Sequence, residues 1–521
     1  MARTHHSLFE VHSLSESLTL YVPAVALQRA LNLARLFLFI WLMDVTQFGL
    51  LGLATMVFGL AGTLVTLGSF NGIARYISQY EARGELGDFF RVVARQVSLV
   101  AAAASLVLLA LSPWLADWVI GTAAESRISH AERWAVFAAA IANGLLTALY
   151  LNLTAWMRGL RLYRLLSVTD VTYAVLFFAL GALVLVIRPT ALMALAAHAV
   201  ALALVLAGGM WAVGHALVHR AMEWAAGAEK AVEPAVPETA AAVPAAKPPR
   251  LAMLRRVLRY SIPAMGAGLA AMVLGYVSLW FVQRLGGEAQ AGLFQAYFQL
   301  CQPISILAAT IWGVLFTYAA VHWEEQDSPL ARRQLEATFK ATVGLLLTLA
   351  VAINITSRWW LVVLPVHYRA SAELLPWLLV HVLAVANLGY VYVASQLRER
   401  PAALVYIMIV GVAANALLAW LWVPGAGALG GAQAAAAGGA ACILASTIYL
   451  LATRFGASGA TIMLSLLPGL LLLPPAAQVL LLVAGWIFAL VSPAIFATAE
   501  REMVAAAARS IWARLPGRRK A

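Results

Sequence analysis

Residues 165–187 read LLSVTDVTYAVLFFALGALVLVI, in which Asp170 is the single charged side chain, and Arg164 and Arg188 flank the run. A stretch of about 20 apolar residues crosses a bilayer as a helix, because its backbone amides must bond within the segment. Comparable runs recur along the chain, which is 63% apolar and 11% charged. Soluble domains are about 25% charged. The sequence therefore predicts an all-α membrane protein.

These runs predict about fourteen transmembrane helices. Their expected bounds are 18–42, 47–72, 92–113, 134–156, 165–187, 190–214, 255–281, 289–318, 340–364, 373–396, 402–423, 428–452, 459–474 and 476–498. Pro468, Pro474 and Pro475 interrupt the last two runs. They leave open whether this region forms two separate spans or a re-entrant segment.

Composition divides the chain into four regions. Residues 221–250 are rich in Ala, Pro and Glu and bury little, so they are expected to form a mobile cytoplasmic linker. The linker separates an N-terminal lobe of six helices at 1–220 from a C-terminal lobe of six helices at 251–455. Two extra helices and a basic tail are expected at 456–521.

Short matches between the two lobes indicate an internal duplication. The matched segments are LYVPA at 20–24 with YSIPA at 260–264, QFGL at 47–50 with QAGL at 290–293, and IAN at 141–143 with VAN at 385–387. Because each repeat holds six spans, both have the same orientation in the membrane. Parallel repeats of this kind place a substrate site at the interface between them.

The distribution of basic residues predicts the orientation. Most of the 35 Lys and Arg residues fall in loops on the side of the N-terminus. The opposite side has Arg127, Arg133, Arg188, Arg284, Arg358 and Arg369. The positive-inside rule makes the richer side cytoplasmic, with both termini there. The topology accounts for the net charge of +12 without nucleic acid as a partner.

The first span carries a cationic face. Its members, within an arc of about 120° on a helix, are Gln28, Arg29, Asn32 and Arg35. Two guanidiniums within a bilayer are costly against lipid, so they are expected to face a water-filled cavity. The planar fork of arginine suits phosphate or pyrophosphate oxygens. In the alternative, the arginines reach the membrane surface or pair with Asp44 or Asp170, and serve packing only.

Amides and hydroxyls line three other spans. They are Gln295, Gln299 and Gln302 on span eight, Asn143, Thr147 and Tyr150 on span four, and Asn387 on span ten. Such groups suit sugar hydroxyls in a cavity. They suit equally well the hydrogen bonds between membrane helices, which contribute about 0.6 kcal/mol each on average.

Motifs for covalent chemistry are missing from the sequence. There is no Gly-Lys pair, and hence no Walker A loop for ATP, and there is no Asp-x-Asp or His-Glu-x-x-His pattern for a metal. A membrane-embedded sugar polymerase or ligase would need a large outer loop with acidic or His residues, and the predicted outer loops are short. We therefore expect a transporter or flippase, not an enzyme, without cofactor or metal.

Several motifs give the chain a family resemblance. They are FGL at 48–50, LG at 67–68, IARY at 73–76, LRYSIP at 258–263, AGLF at 291–294 and GAGALGGA at 425–432. With these motifs the chain resembles the polysaccharide-biosynthesis flippases of the multidrug/oligosaccharidyl-lipid/polysaccharide exporter superfamily. The resemblance implies two lobes around a central cationic cavity, lined by spans one and seven, and alternating access. Arg29 and Arg35 match this expectation, whereas span seven has no charge at mid-span.

The resemblance also implies a substrate and a location. The substrate would be a polyprenyl-pyrophosphate-linked oligosaccharide in the bacterial cytoplasmic membrane, with membrane lipids and other polysaccharide-assembly proteins as further partners. A lipid II flippase or a cation-coupled multidrug exporter of the same fold is an open alternative. So is a non-transporting subunit of an export complex.

Overall fold

A computed structural model describes residues 14–82, 85–120, 129–160, 162–230, 250–324, 328–398, 400, 402–453, 458–498 and 500–502. Within these residues the regular structure is helical throughout, and ten helices are long and apolar enough to cross a membrane. The predicted all-α membrane fold is confirmed. Residues 231–249 of the predicted linker and the basic tail from 503 onward lie outside the described residues.

The chain forms two compact units, Met1–Leu269 and Ala270–Ala521. The first contains α1 (Leu14–Leu42), α2 (Val45–Val65), α3 (Ser69–Ala82), α4 (Leu86–Ile120), α5 (His130–Gly159), α6 (Tyr163–Ile187), α7 (Ala191–Lys230) and the first part of α8 (Arg250–Phe281). In this unit α1 packs along α6, α2 along α5, and α7 against both α5 and α6. Helix α7 therefore continues ten residues into the segment predicted as linker.

The second unit holds the remaining helices. They are α9 (Glu288–Glu324), α10 (Ser328–Trp360), α11 (Val366–Arg369), α12 (Leu374–Asn387), α13 (Gly389–Leu397), α14 (Ala402–Ala452), α15 (Gly459–Leu466) and α16 (Pro475–Val491). Here α12 packs against both α9 and α14, and α10 packs against α9. Residues Val282–Gly286 form a π-helical turn that joins α8 to α9.

The predicted span 47–72 is wrong in its continuity, because the chain turns between α2 and α3. Leu67 and Gly68 have φ angles of 49° and 66°, a left-handed conformation that ends a helix. A Cβ atom on Gly68 would lie 2.8 Å from the carbonyl oxygen of Ser261 in α8. The glycine therefore allows both the turn and the close approach of α8.

Helix α14 is a tight hairpin of two spans, as the predicted spans 402–423 and 428–452 require. Gly427 has a φ of 55° within it, and the two halves lie against each other. A Cβ atom on Gly438 would be 2.6 Å from the Cβ of Asn415 and 2.9 Å from the carbonyl oxygen of Gly411. The run of Gly and Ala at 425–441 allows this approach, as small residues do between membrane helices.

The region near the C-terminal end contains two separate short helices. Helix α15 passes into a 3-10 turn at Leu467–Leu472, and α16 begins at Pro475. Gln478 closes the break, because its Nε2 donates hydrogen bonds to the carbonyl oxygens of Leu471 and Leu473. Helix α16 ends at Val491, before the predicted end at 498.

A buried group of charges joins three parts of the second unit. Lys340 Nζ on α10 lies 2.9 Å from both carboxylate oxygens of Glu500, and the two side chains are 4% and 6% exposed. Glu336 adds a carboxylate oxygen 3.5 Å from the same nitrogen and accepts a hydrogen bond from the backbone N–H of Ser458, before α15. We call Glu336, Lys340 and Glu500 the C-terminal ion cluster.

Each unit contains the same capping contact. In the first, the Gln47 side-chain oxygen accepts a hydrogen bond of 2.9 Å from the N–H of Ala191, at the start of α7. In the second, the Gln290 side-chain oxygen accepts one of 3.0 Å from the N–H of Ala428, just after the turn in α14. The first N–H groups of a helix have no partner within it. Both glutamines begin the matched segments QFGL and QAGL, so the duplication extends to a specific hydrogen bond.

Candidate functional site

The most polar part of the first unit is built on the contact between α1 and α6. These two helices pack against each other along much of their length. Phe39 of α1 is buried against Gly181 of α6, where a Cβ atom would lie 2.7 Å from the Phe39 ring. Phe39 also meets Phe177 edge to face, with ring centroids 5.8 Å apart. This contact places Arg35, one turn before Phe39, beside the same face of α6.

Arg35 is held by aromatic side chains. Its guanidinium carbon lies 4.0 Å from the ring centroid of Phe177, and the group also interacts with the hydroxyl of Tyr173. A cation over an aromatic face is stabilised by about 0.5–2 kcal/mol. Its Nη1 atom is nevertheless buried without a hydrogen-bond acceptor among the described residues. Such a donor costs about 1–3 kcal/mol, and an anionic oxygen would satisfy it.

The rest of the predicted face on α1 is divided between packed and open positions. Gln28 is buried, Arg29 is exposed and Asn32 is half-buried. The Oδ1 atom of Asn32 is buried and accepts no hydrogen bond from any described residue. An exposed cation, an unused acceptor and the unused donor of Arg35 therefore lie within two turns of one helix.

A buried carboxylate on α6 lies near these cations. Asp170 is 8% exposed and accepts a hydrogen bond from the hydroxyl of Tyr150 on α5. Arg158 and Arg29 are the cations whose electrostatic fields act on it, and no described residue forms an ion pair with it. Tyr150 therefore holds the carboxylate, and the guanidiniums stay apart from it.

We call these groups the N-terminal polar cluster. Its members are Arg29, Arg35, Tyr150, Arg158, Asp170 and Tyr173. The two tyrosines stand side by side, with ring centroids 5.4 Å apart. Three arginines and one aspartate leave a formal net charge of +2. The cluster combines positive charge, aromatic walls and unused hydrogen-bonding atoms.

Asn143, for which sequence left open sugar binding or a bond between helices, makes hydrogen bonds inside the first unit. Its amide nitrogen donates to the carbonyl oxygens of Ala139 and Leu195, and its Oδ1 lies 2.6 Å from His198 Nδ1 on α7. These bonds hold α5 against α7. Thr147, one turn further along α5, has a buried hydroxyl with no partner among the described residues and so keeps a free polar group.

The amide residues of the second unit do not form one group. Gln295 is 2% exposed and its Oε1 has no partner within the described residues, whereas Gln299 and Gln302 are half-buried. Asn387 is level with Trp312, whose indole N–H donates to the carbonyl oxygen of Ala386. Ten residues separate Gln302 from Trp312, which is about 15 Å along α9. Asn387 instead lines a pocket between α10, α12, α13, α14 and α15.

The sequence did not reveal the aromatic side chains of α6 that line the N-terminal polar cluster. Tyr173 and Phe177 were not singled out, and Asp170 was weighed as a packing partner of the arginines and as an ion-coupling carboxylate, not as part of a substrate site. A signal was present, because Asp170, Tyr173 and Phe177 occupy positions i, i+3 and i+7 and so share one face of α6. Aromatic residues in an apolar span resemble ordinary core, and this hides their role.

Sequence comparison assigns the family. The profile of the polysaccharide biosynthesis protein family matches residues 16–320. The chain belongs to this family. A comparison with curated protein sequences gives no significant match. The solved structures described next are of transporters and of a lipid II flippase.

Solved structures of similar fold include a flippase and several transporters. The lipid II flippase MurJ in an inward closed conformation matches with a TM-score of 0.61 and 12% identity, over 93% of this chain and 100% of that one. An inward-facing multidrug resistance MATE family transporter of the MOP superfamily matches with a TM-score of 0.60 and 14% identity, over 83% and 96%. A MOP superfamily transporter from Pyrococcus furiosus matches with a TM-score of 0.57 and 14% identity, over 86% and 98%. At these identities the likeness is one of fold.

Proposed function

We propose that this member of the polysaccharide biosynthesis family is a flippase. Its substrate is a polyprenyl-pyrophosphate-linked oligosaccharide, which it moves across the bacterial cytoplasmic membrane by alternating access. The observation that carries the proposal is the N-terminal polar cluster, and above all the buried, unused Nη1 donor of Arg35. The family description supports a glycan as part of the substrate.

Charge supports a pyrophosphate as the group that binds there. The cluster has a formal net charge of +2, from three arginines and one aspartate, and a pyrophosphate diester carries two negative charges. Arg29 is exposed and Arg35 is already oriented by Phe177. Little side-chain freedom is lost when such a pre-oriented donor binds its ligand.

The unused atoms suit the junction between phosphate and sugar. Arg35 Nη1 is a donor for a phosphate oxygen, whereas Asn32 Oδ1 is an acceptor for a sugar hydroxyl. The Thr147 hydroxyl, also without a partner among the described residues, can serve either role. In this proposal the lipid tail stays in the bilayer, and Gln28, Tyr150 and the glutamines of α9 are further positions for the glycan.

The membrane potential would assist outward movement. An inside-negative potential favours outward transfer of an anion by about 2.3 kcal/mol per charge per 100 mV. A substrate that crosses as a dianion is therefore driven further than a neutral one. Its binding to a cationic site that faces alternately inward and outward uses this energy without ATP.

Complementation of a deletion strain tests the proposal. Cells that lack the gene receive the wild type or the double variant Arg29→Ala/Arg35→Ala, and the amount of protein is checked. Surface polysaccharide and the lipid-linked precursor in the inner leaflet are then measured. We expect the precursor to accumulate in the deletion strain and to be cleared by the wild type but not by the double variant.

The matched control removes the same charge elsewhere. Arg188→Ala/Arg358→Ala changes two arginines at helix ends outside the cluster, and it should clear the precursor as the wild type does. Full rescue by Arg29→Ala/Arg35→Ala would mean that these arginines serve packing, and the site proposal would fail. Loss of rescue by both double variants would point to a general effect of charge.

One observation favours a second function, the export of organic cations. Asp170 is a buried carboxylate without an ion-pair partner among the described residues, and a cationic drug would suit it. The formal net charge of +2 on the N-terminal polar cluster would repel a cationic drug, and this opposes the second function. If the deletion leaves surface glycan intact and sensitises cells to cationic drugs, and Asp170→Asn fails to restore resistance, the exporter is correct and the flippase is not.

A further inference from the structure

A buried histidine lies next to the N-terminal polar cluster but is not part of it. His198 of α7 is 6% exposed, and its ring contacts three aromatic rings on the neighbouring helices. Its centroid lies 4.8 Å from that of Phe177 and 5.9 Å from that of Tyr173, both on α6, and 5.2 Å from that of Phe58 on α2. An ionisable side chain is costly to bury within a membrane span, and it is usually retained for function.

A hydrogen bond fixes the orientation of the His198 ring. Asn143 of α5 donates from Nδ2 to the carbonyl oxygens of Ala139 and Leu195, so its Oδ1 is the atom that faces His198. This oxygen can only accept, and it lies 2.6 Å from His198 Nδ1. Nδ1 therefore carries a proton, and the ring cannot turn without losing the bond.

Phe177 is the ring through which His198 reaches Arg35. The guanidinium carbon of Arg35 lies 4.0 Å from the centroid of Phe177, and His198 meets the same ring at an interplanar angle of 62°. Phe39 also contacts Phe177, but it belongs to the same helix as Arg35. His198, by contrast, is tied to α5 through Asn143. The place of the Phe177 ring is thus set from helices to which Arg35 does not belong.

We propose that His198 is a positioning residue of the pyrophosphate site, an inference that rests on the proposed function. The imidazole, held by Asn143, keeps the Phe177 ring in place. The ring in turn keeps Arg35 oriented, with its unused Nη1 donor available to a phosphate oxygen. A donor that is oriented before the ligand arrives loses less side-chain freedom on binding. Asn143 then contributes to binding without contact with the glycan.

Two substitutions separate the ring of His198 from its hydrogen bond. His198→Asn places an amide N–H close to the position of Nδ1 and keeps the donor to Asn143, but it removes the ring beside Phe177. His198→Phe keeps a ring there and removes the donor. We expect His198→Asn to bind a short-chain polyprenyl pyrophosphate roughly threefold to tenfold more weakly than the wild type. His198→Phe should bind nearly as the wild type does and unfold at a lower temperature, because Asn143 Oδ1 then lacks a donor.

Isothermal titration of the full-length protein in detergent micelles measures these affinities. The same substitution is made in the wild type and in Arg35→Lys, in which the planar contact with Phe177 is already lost. Because His198 acts through Arg35, His198→Asn should cause little further loss of affinity in Arg35→Lys. A role in packing alone would lower the affinity by the same factor in both backgrounds.

A second measurement does not need the ligand. In protein with isotope-labelled arginine, NMR detects the side-chain N–H protons of Arg35, which are assigned by their loss in Arg35→Lys. The ring current of Phe177 should shift them upfield, since the guanidinium lies over the ring. His198→Asn should move this signal toward the ordinary arginine position, and His198→Phe should leave it in place.

His381 of α12 provides the matched control in the second unit. It is 2% exposed, its Nδ1 lies 2.8 Å from the carbonyl oxygen of Ala435, and its ring centroid is 6.1 Å from that of Phe298. His381→Asn therefore removes a similarly buried ring far from Arg35 in the sequence. It should leave both the affinity for pyrophosphate and the Arg35 signal unchanged.

Two outcomes would overturn the inference. The first is an unchanged affinity together with an unchanged Arg35 signal in His198→Asn. The second is weaker binding by His198→Phe than by His198→Asn, which would assign the effect to the hydrogen bond and hence to helix packing. A wild type that binds no pyrophosphate would refute the proposed function instead. In that case the Arg35 signal of His198→Asn alone decides whether His198 positions Arg35.

Discussion

Arg35 joins two properties that substitution can separate, its charge and its planar contact with an aromatic ring. The stack on Phe177 fixes the guanidinium in place, while Nη1 stays unused. Lysine would keep the charge but has neither the planar fork nor the delocalised face of arginine. Substitution of Arg35 therefore measures how much the orientation of its guanidinium contributes to ligand binding.

We expect Arg35→Lys to weaken binding of a short-chain polyprenyl pyrophosphate by roughly tenfold. The reason is the loss of about 1–2 kcal/mol of stacking and bidentate hydrogen bonding. Isothermal titration with the purified protein measures the change. Arg188→Lys, at the exposed end of α6, is the control and should bind as the wild type does. Equal affinity of both variants would rule out a role for orientation.

Asp170 sets the net charge of the N-terminal polar cluster. Asp170→Asn keeps an oxygen that can accept the hydrogen bond from Tyr150 and raises the formal charge by one unit. We expect pyrophosphate to bind roughly tenfold more tightly, because removing a like charge at this range is worth about 1–2 kcal/mol at an effective dielectric of about 20. Transport should slow, since release becomes limiting. Weaker pyrophosphate binding would argue for the cation exporter.

At the scale of helices, close packing depends on a few glycines. A Cβ atom on Gly144 of α5 would lie 2.9 Å from the Ala61 side chain and 3.1 Å from the Phe58 carbonyl oxygen on α2. The preceding residue on α5, Asn143, connects to α7 through His198. A shift of α5 would therefore disturb two helix contacts at once.

Gly144→Val should lower the free energy of unfolding by about 1–3 kcal/mol, the usual cost of overpacking. Unfolding of the protein in mixed micelles of increasing denaturing detergent measures it. Gly208→Ala on α7 is the matched control, because nothing lies within 4 Å of its Cβ position, and it should leave stability unchanged or slightly higher. A neutral Gly144→Val would show that α2 and α5 can separate without cost.

Hydropathy predicted the helices but not every break in them. The positive φ angles of Leu67 and Gly68 end α2 inside an apolar stretch, where composition gives no warning. By contrast, the predicted spans 402–423 and 428–452 leave a short connection between them, and the turn at Gly427 lies there. Arg29 and Arg35 stood out since charge is costly within a bilayer. Tyr173 and Phe177 did not, because an aromatic ring is equally suited to lipid, core or guanidinium.

At the scale of the whole chain, the C-terminal ion cluster connects α10 to residues far along the sequence. Removal of one partner from a buried ion pair usually costs about 3–5 kcal/mol, because the other charge is left unpaired. Replacement of both by apolar residues costs much less. The cluster thus makes the fold of the second unit depend on the residues after α16.

We expect Lys340→Met and Glu500→Leu each to lower the free energy of unfolding by about 3–5 kcal/mol. The double variant should lose much less than the sum, with a coupling of about 1–3 kcal/mol. A double-mutant cycle by detergent unfolding provides the values. Arg333→Met, an exposed arginine on the same helix, is the control and should change stability little. If the effects of Lys340→Met and Glu500→Leu on the free energy of unfolding simply add, the two residues do not act as a specific pair.

The distance between Lys340 and Glu500 along the chain has a consequence during synthesis. The two are 160 residues apart, and a ribosome adds about 5–20 residues per second. The lysine must therefore wait roughly 10–30 seconds in the nascent protein before its carboxylate partner emerges. A messenger broken just before codon 500 would yield a chain in which Lys340 keeps only the Glu336 carboxylate, 3.5 Å away, and lacks its closer partner.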